Sequence, residues 1–356
     1  MYAIDLWNLK RGDTMELKER KQKILKAVVE NYIHSGEAIG SKSLIEQTGL
    51  NVSSATIRNE LADLERGGYL LQPHTSAGRV PTQKGYRYYI DNLIGEMTLT
   101  DRVKAHIENT IEAGADAPER ILSNTAQVLA NLTGMASITT TPSGVNARVH
   151  KIRFVITGRH TCMAVLITSN GMVKSRLFRV EFVVTPELVS MFDKVLNEAF
   201  VGMPLKDIDR AFLQSVGASF GELSLFMPDV LFAILDSVKQ AMQQSINISG
   251  STNLLFLPEY DMVGARNVLK FLSDSDNVST LLSENIKGTK VFLGKESGYY
   301  ELGSSMVITT TYEIGHQTAG AVALVGPLRA DYQTLISMVE YASDHASKLI
   351  GELLEV

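Results

Sequence analysis

The sequence predicts an α+β chain of several domains, opening with a winged helix-turn-helix. Three observations carry that prediction. The first hundred residues place apolar side chains at helical spacing, with glycine breaks at Gly36 and Gly49, and then reach the proline-bracketed run "LQPHTSAGRVPT" at 71–82. From about 149 the pattern turns to strand-like runs, with Asn170 and Gly171 marking a tight hairpin. Between two sets of such runs lies a mostly helical intrusion.

Size and composition agree. A chain of 356 residues, 45% hydrophobic, can bury more than one core, and chains beyond roughly 250–300 residues usually divide into domains. No apolar run approaches the roughly 18–20 residues that cross a bilayer, and the start lacks the charged and apolar regions of an export signal; a cytoplasmic protein without a membrane partner is expected. The single cysteine, Cys162, cannot form an internal disulfide and sits in the apolar run "TCMAVLI". The net charge of −5 conceals an asymmetry: the first 94 residues carry +2 and the remainder −7. That is weak support for a polyanion partner, so local placement has to decide.

The first helix carries Leu17, Ile24, Leu25, Val28, Tyr32 and Ile33 on one face and stops at Gly36. A short second helix follows, with Ser41 as its N-cap candidate, Leu44 and Ile45 inward, and Gly49 as its end. The third is capped by Ser53 or Ser54 and repeats Ile57, Leu61 and Leu64 at i, i+4 and i+7. This is the order of a helix-turn-helix unit, its rival being a plain three-helix packing unit. The outward face of the third helix favours the first reading. It presents Ala55, Asn59, Ala62 and Arg66, flanked by Thr56 and Arg58: small groups that permit close approach, beside forks suited to base edges. Ser54, Thr56, Arg58 and Asn59 are therefore expected to read bases.

"GGYLLQ" reads as a glycine stop and short strand, "PHTSAG" as a hairpin tip in which Gly78 supplies a positive φ, and "RVPT" as the return strand. A hairpin after a helix-turn-helix is a wing. His74, Thr75, Ser76 and Arg79 on it, with Ser41 and Lys42 on the second helix, are expected to hold phosphates and set orientation. Thr82 then caps a helix with Tyr86, Tyr89, Ile90 and Leu93 inward and Lys84 and Arg87 outward, the aromatic spacing indicating core packing.

The runs "GSKSL" and "VSSATIRNELADLERGGYLLQPHTSAGRVPTQKGYRYYID" resemble the HrcA family of heat-inducible transcription repressors of bacteria, as do "TSNGMV", "STNLLFLPEY" and "VGPLRADYQTLISMVEY". The resemblance implies a winged helix, a GAF-like domain and a helical insertion that makes a homodimer. It also implies repression of chaperone operons through the CIRCE inverted repeat in double-stranded DNA, with activity supported by the chaperonin GroEL. Members of the family begin near the equivalent of Met15, so 1–14, which holds Trp7, reads as an extension. The expected division is 15–95 for the winged helix, 96–134 for a helical linker, 135–182 with 251–356 for the GAF-like domain, and 183–250 for the inserted dimerisation domain.

Two amphipathic runs between 101 and 134 are joined by "AGADAPE"; they couple the domains or pack onto the second. Three strand-like runs between 149 and 182 and three more between 289 and 327 make about six, and a long helix begins near Asp331. Within the intrusion, Leu231, Ile234, Leu235, Val238 and Met242 share one helical face with Phe232 beside it. So broad an apolar face is either buried in its own chain or, as the resemblance implies, is the dimer contact.

Signs of chemistry are sparse. No GxxxxGK(S/T) phosphate loop, HExxH pair or CxxC site occurs, and the seven histidines are scattered. No enzyme activity, cofactor or metal is expected. The alternative to chaperonin control is a small effector bound in the GAF-like domain.

Overall fold

The computed structural model describes residues 17–50, 52–74, 77–142, 144, 147–218, 227–283, 288–315 and 317–355. The chain divides into one unit of Met1–Thr98 with Pro327–Leu335 and a second of Leu99–Gly326 with Ile336–Val356. The expected extension, 1–14, lies outside the described residues.

The first unit opens with α1 (Glu19–Ser35), α2 (Ser41–Thr48) and α3 (Ser54–Arg66). Glycine ends the first two: Gly36 at φ 70° and Gly49 at φ 60° turn left-handed and return their N–H groups to Tyr32 and Ile45. The cap of α3 is Ser53, whose side chain accepts the Thr56 N–H, so Ser54 is the first helical residue. Gly40, not Ser41, occupies the cap position of α2 and offers it no side-chain acceptor. Ile24, Leu25, Val28, Leu44, Ile57 and Leu64 close on one another at 1% exposure or less, each contributing about 1.5–3 kcal/mol.

β1 (Leu70–Leu71) pairs antiparallel with β2 (Val80–Pro81). A third strand of one residue joins them, since Arg79 N–H donates to Ile39 O at 2.9 Å and Ile39 N–H donates to Arg79 O at 3.2 Å. That bridge explains Gly78 differently from the sequence reading. Its φ is not positive; a Cβ there would instead lie 2.2 Å from Ile39 O. Close backbone approach is the requirement. Thr82 caps α4 (Gln83–Asn92) and also donates to Gly68 O and Tyr69 O, joining the hairpin, the end of α3 and α4 at one hydroxyl. Tyr86, Tyr88 and Tyr89 are buried, which makes the aromatic triplet core.

The second unit begins with α5 (Asp101–Glu112) and α6 (Pro118–Thr133), locked by the buried Asn124, which donates to Ile111 O and Ala113 O. They pack within this unit and do not form a free-standing linker. Its strands are β3 (Ala136–Thr140), β4 (Val149–Gly158), β5 (Thr161–Thr168), β6 (Val173–Arg179), β7 (Ile246–Ser249), β8 (Lys290–Leu293), β9 (Ser305–Ile314) and β10 (Gln317–Pro327). They form two sheets: a five-stranded one in the order β7-β3-β10-β9-β8, and a three-stranded one in the order β4-β5-β6.

This corrects the expected division at 182/183. β4, β5 and β6 pair with one another and share an apolar core with α7 (Pro186–Phe200), α8 (Arg210–Ala218) and α9 (Met227–Met242). The strict alternation of β5 is the physical reason: Cys162, Ala164 and Leu166 on one of its faces are buried against that helical layer. The inserted layer thus spans about 147–242. It leaves after β3 and returns at β7, which are neighbours with Ser137 opposite Ser249 and Thr140 opposite Ile246, so the large sheet closes over the gap. One core of that sheet is made with α10 (Met262–Ser273) and α11 (Ser275–Ser283), through Phe271, Leu272, Val278 and Leu281. The last helix, α12, runs Tyr332–Leu354. Among the described residues, no helix is long and apolar enough to cross a membrane.

Candidate nucleic-acid interface

The inward side of α3 is spent on the core, and its outward side presents Ala55, Arg58 and Asn59 exposed, with Ser54 and Thr56 half-buried. The Ser53 cap orders the first turn, its hydroxyl lying 2.9 Å from the Thr56 hydroxyl. The structure brings three of the expected site residues together across α2 and α3: Ser41 Oγ is 3.2 Å from Ser54 Oγ, and Arg58 Nε donates to Ser41 Oγ at the long distance of 3.5 Å. Lys42 is exposed on the adjacent first turn of α2. With Gly40 at the cap, that turn leaves backbone N–H groups without a side-chain acceptor, and the positive end of the helix dipole favours an anion there.

Charge pairing separates the cations of this unit. Arg20 reaches Glu60 at 2.9 Å, Lys21 reaches Asp63 at 2.8 Å, Arg87 reaches Asp91 at 3.1 Å, and Arg66 also binds Asp63. The Lys21 hydrogen bond, with the nearby charges of Lys21 and Arg66, holds the Asp63 carboxyl below its ordinary range. Arg58 and Lys42 have no carboxylate partner among the described residues. Within α2 and α3 they are the described cations that remain available to an incoming polyanion.

Arg79 departs from expectation. Its guanidinium turns back onto α3, with Nη2 2.8 Å and Nε 3.0 Å from Glu65 Oε2, and is largely shielded at 18% exposure. The carboxylate of the neighbouring helix supplies the nearest negative charge, so this arginine ties the hairpin to α3 and does not reach outward for a phosphate. Lys84 is likewise engaged, donating to Gly67 O at 2.9 Å and lying 4.5 Å above the Tyr69 ring. At the hairpin tip His74 is exposed, while Thr75 and Ser76 lie outside the described residues. Gln72 closes the base of the tip by donating to Ala77 O.

The residues expected at a dimer contact are largely occupied within their own chain. Leu231, Ile234, Leu235 and Val238 are at most 8% exposed in the core shared with β4, β5 and β6, and Met242 packs against that core. What stays open on α9 is Phe232, 63% exposed, beside a groove of about 350 Å³ lined by Leu213, Met227, Leu231 and Leu235. The outer face of the three-stranded sheet is open as well: Val155, Met163 and Leu177 stand in one register row, and Leu177 is 60% exposed.

No GxSxG elbow is expected from the sequence, yet "GASFG" at 217–221 has that pattern. A nucleophile elbow needs a strand before the turn, and here the run begins inside α8; Ser219 lies outside the described residues. Among the described residues no group of three or more His, Cys, Asp or Glu could hold a metal ion.

Comparison with known proteins adds to this geometry. Residues 119–336 match the family profile described as the HrcA protein C-terminal domain. A heat-inducible transcription repressor HrcA from Thermoanaerobacter pseudethanolicus is 33% identical over 340 residues, covering 95% of this chain and 98% of that protein. One from Clostridioides difficile is 30% identical over 334 residues, covering 92% of this chain and 98% of that protein. A crystal structure of a hypothetical protein, 24% identical, matches 95% of this chain and 100% of its own with a TM-score of 0.67, a likeness of fold.

Proposed function

This chain belongs to the HrcA family of heat-inducible transcription repressors, and we propose that it binds an inverted-repeat operator as a homodimer, with the outward face of α3 in the major groove. The observation that carries the reading is Arg58: exposed, without a carboxylate partner among the described residues, and next to Asn59 on a helix whose first turns are otherwise small. Arginine can donate twice to the N7 and O6 of guanine, asparagine can donate to N7 and accept from the N6 amino group of adenine, and Ala55 lets the helix approach closely. Ser54 and Thr56 add shorter contacts. Lys42, Ser41 and the uncapped first turn of α2 hold phosphate, with His74, Thr75 and Ser76 of the wing on the flanking backbone.

Two such units related by a twofold axis need an operator of two opposed half-sites. In this reading the operator is the CIRCE repeat of chaperone operons, and the repressor's active fraction is maintained by the chaperonin GroEL and falls when heat diverts it. The dimer contact belongs to the inserted layer. Because Leu231, Ile234, Leu235 and Val238 are consumed internally, the second copy meets the open surfaces beside them: Phe232 with its groove, and the Val155, Met163 and Leu177 row. The helix and hairpin act as a winged helix whose wing is braced by Arg79.

Fluorescence anisotropy of a labelled CIRCE duplex, titrated with full-length protein at two salt concentrations, tests this. Tight binding that falls with salt and outcompetes a scrambled duplex supports it. Equal affinity for both duplexes removes it.

A further inference from the structure

Resting on the DNA-binding reading above, we propose that Pro327–Leu335 is a strap that holds the amino-terminal unit in its binding shape, and that Arg329 and Tyr332 are positioning residues for operator binding.

The segment lies in the first unit although 296 positions separate Arg329 from Ile33 of α1, and 238 separate Gln333 from Gly95 after α4. Arg329 Nη1 donates to Ile33 O at 2.9 Å, and the guanidinium lies across Gly36, where an added Cβ would sit 3.4 Å from its Cζ. A cation is thereby seated on the negative end of α1, satisfying a carbonyl that the helix itself leaves open. Tyr332 is fully buried, its ring centroid 5.7 Å from that of Tyr86 on α4, and its hydroxyl donates back to Leu328 O. Gln333 Nε2 donates to Gly95 O at 3.0 Å, just beyond α4. The strap therefore grips the end of α1, the buried side of α4 and the chain that follows α4.

None of these residues lies on the outward face of α3, yet the grip reaches it through covalent structure. α4 begins directly after β2, and Thr82 between them bonds Gly68 O and Tyr69 O at the end of α3. Displacing α4 moves the return strand of the hairpin and the end of α3 together. α1 supplies the wall on which α3 packs, and Arg20 and Lys21 of α1 pair with Glu60 and Asp63 of α3. A unit whose core is completed by a distant segment opens locally when that segment leaves, at less cost than global unfolding.

Full-length protein carrying Arg329→Gln, and separately Tyr332→Ala, is compared with wild type by hydrogen exchange and by anisotropy on a CIRCE duplex over a salt series. The proposal expects amides in the last turn of α1 and in α4 to exchange at least tenfold faster, and the duplex to bind at least fivefold more weakly. The slope of log Kd against log salt should stay unchanged. Exchange or affinity equal to wild type overturns it. So does a slope lower by about 0.9 for Arg329→Gln, which makes the arginine a phosphate contact. Arg329→Gln leaves the buried ring in place, so it reads the strap even if Tyr332→Ala reduces the yield of folded protein. A wild type indifferent to the duplex sinks the DNA reading, while the exchange measurement still decides whether the strap holds α1 and α4.

Discussion

Arg79 and Glu65 form an ion pair of 2.8 Å that fastens the return arm of the hairpin to α3. Both groups are partly solvated, so the pair is worth about 0.2–1 kcal/mol, and its consequence is geometric more than energetic. Arg79→Ala should lower the stability of the amino-terminal unit by that amount and leave the salt slope of DNA binding almost unchanged, because the lost charge was already balanced. Glu65→Gln releases the guanidinium and should steepen the slope toward one extra phosphate contact. Salt titrations of both variants check the pair of outcomes.

Gly78 is held by sterics. With a Cβ 2.2 Å from Ile39 O, Gly78→Ala must pry the hairpin from the α1–α2 connection, at a cost of about 1–3 kcal/mol. Gly40→Ala, where nothing lies within 4 Å of the added carbon and φ is −90°, gives up only glycine's preference at the N-cap of α2 and should cost less, about 0.5–1 kcal/mol. Urea unfolding of the two variants side by side tests the contrast.

Alkaline pH should open the amino-terminal unit. Burial pushes Tyr86 and Tyr89 well above the ordinary tyrosine range, with Tyr32 adding to the first and Glu30 and Asp331 to the second. A pKa raised in the folded state means stability present in full below the unfolded value near 10 and lost progressively as pH rises beyond it. Tyrosinate absorbance and helix content followed together from pH 9 to 13 should show these rings ionising only as the helices melt. Ionisation ahead of melting would contradict their burial.

Leu177 and Leu235 separate association from folding. Leu177→Asp acts on the open sheet face and should convert the dimer proposed above to monomer in sedimentation, with the helical signal intact. Leu235→Asp places a charge at a position 7% exposed and should unfold the inserted layer, by several kcal/mol. Equal sedimentation of Leu177→Asp, Phe232→Asp and wild type would remove both surfaces from the contact.

Local chemistry was legible in the sequence, and long-range pairing was not. Gly36, Gly49, Ser53 and Thr82 announce helix ends because caps and left-handed turns are set by a few neighbouring residues. The apolar spacing of Ile57, Leu61 and Leu64 likewise identified the buried side of α3, and hence its outward one. Strand-like runs and the Asn170–Gly171 turn mark β4, β5 and β6 as strands, but residues within a strand say nothing of which sheet it joins. Arg79 looked free because its partner, fourteen positions earlier, meets it only after the hairpin folds over α3. The apolar face of α9 was visible, but what covers it is decided by the strands of the same chain. Nothing local to "VGPLRADYQTL" discloses that it completes the first unit; only the folded chain brings Arg329 to Ile33.

Operator reading by the outward face of α3, as proposed above, is tested most directly by its two forked side chains. Full-length wild type and an Arg58→Ala, Asn59→Ala variant, both confirmed folded by circular dichroism, are titrated against a CIRCE duplex and a scrambled duplex at one fixed salt concentration. Wild type should prefer the CIRCE duplex by about a thousandfold or more. In the variant that preference should collapse by about 1–3 kcal/mol per lost contact, while binding to scrambled DNA falls far less. A variant that discriminates between the two duplexes as well as wild type does would contradict it.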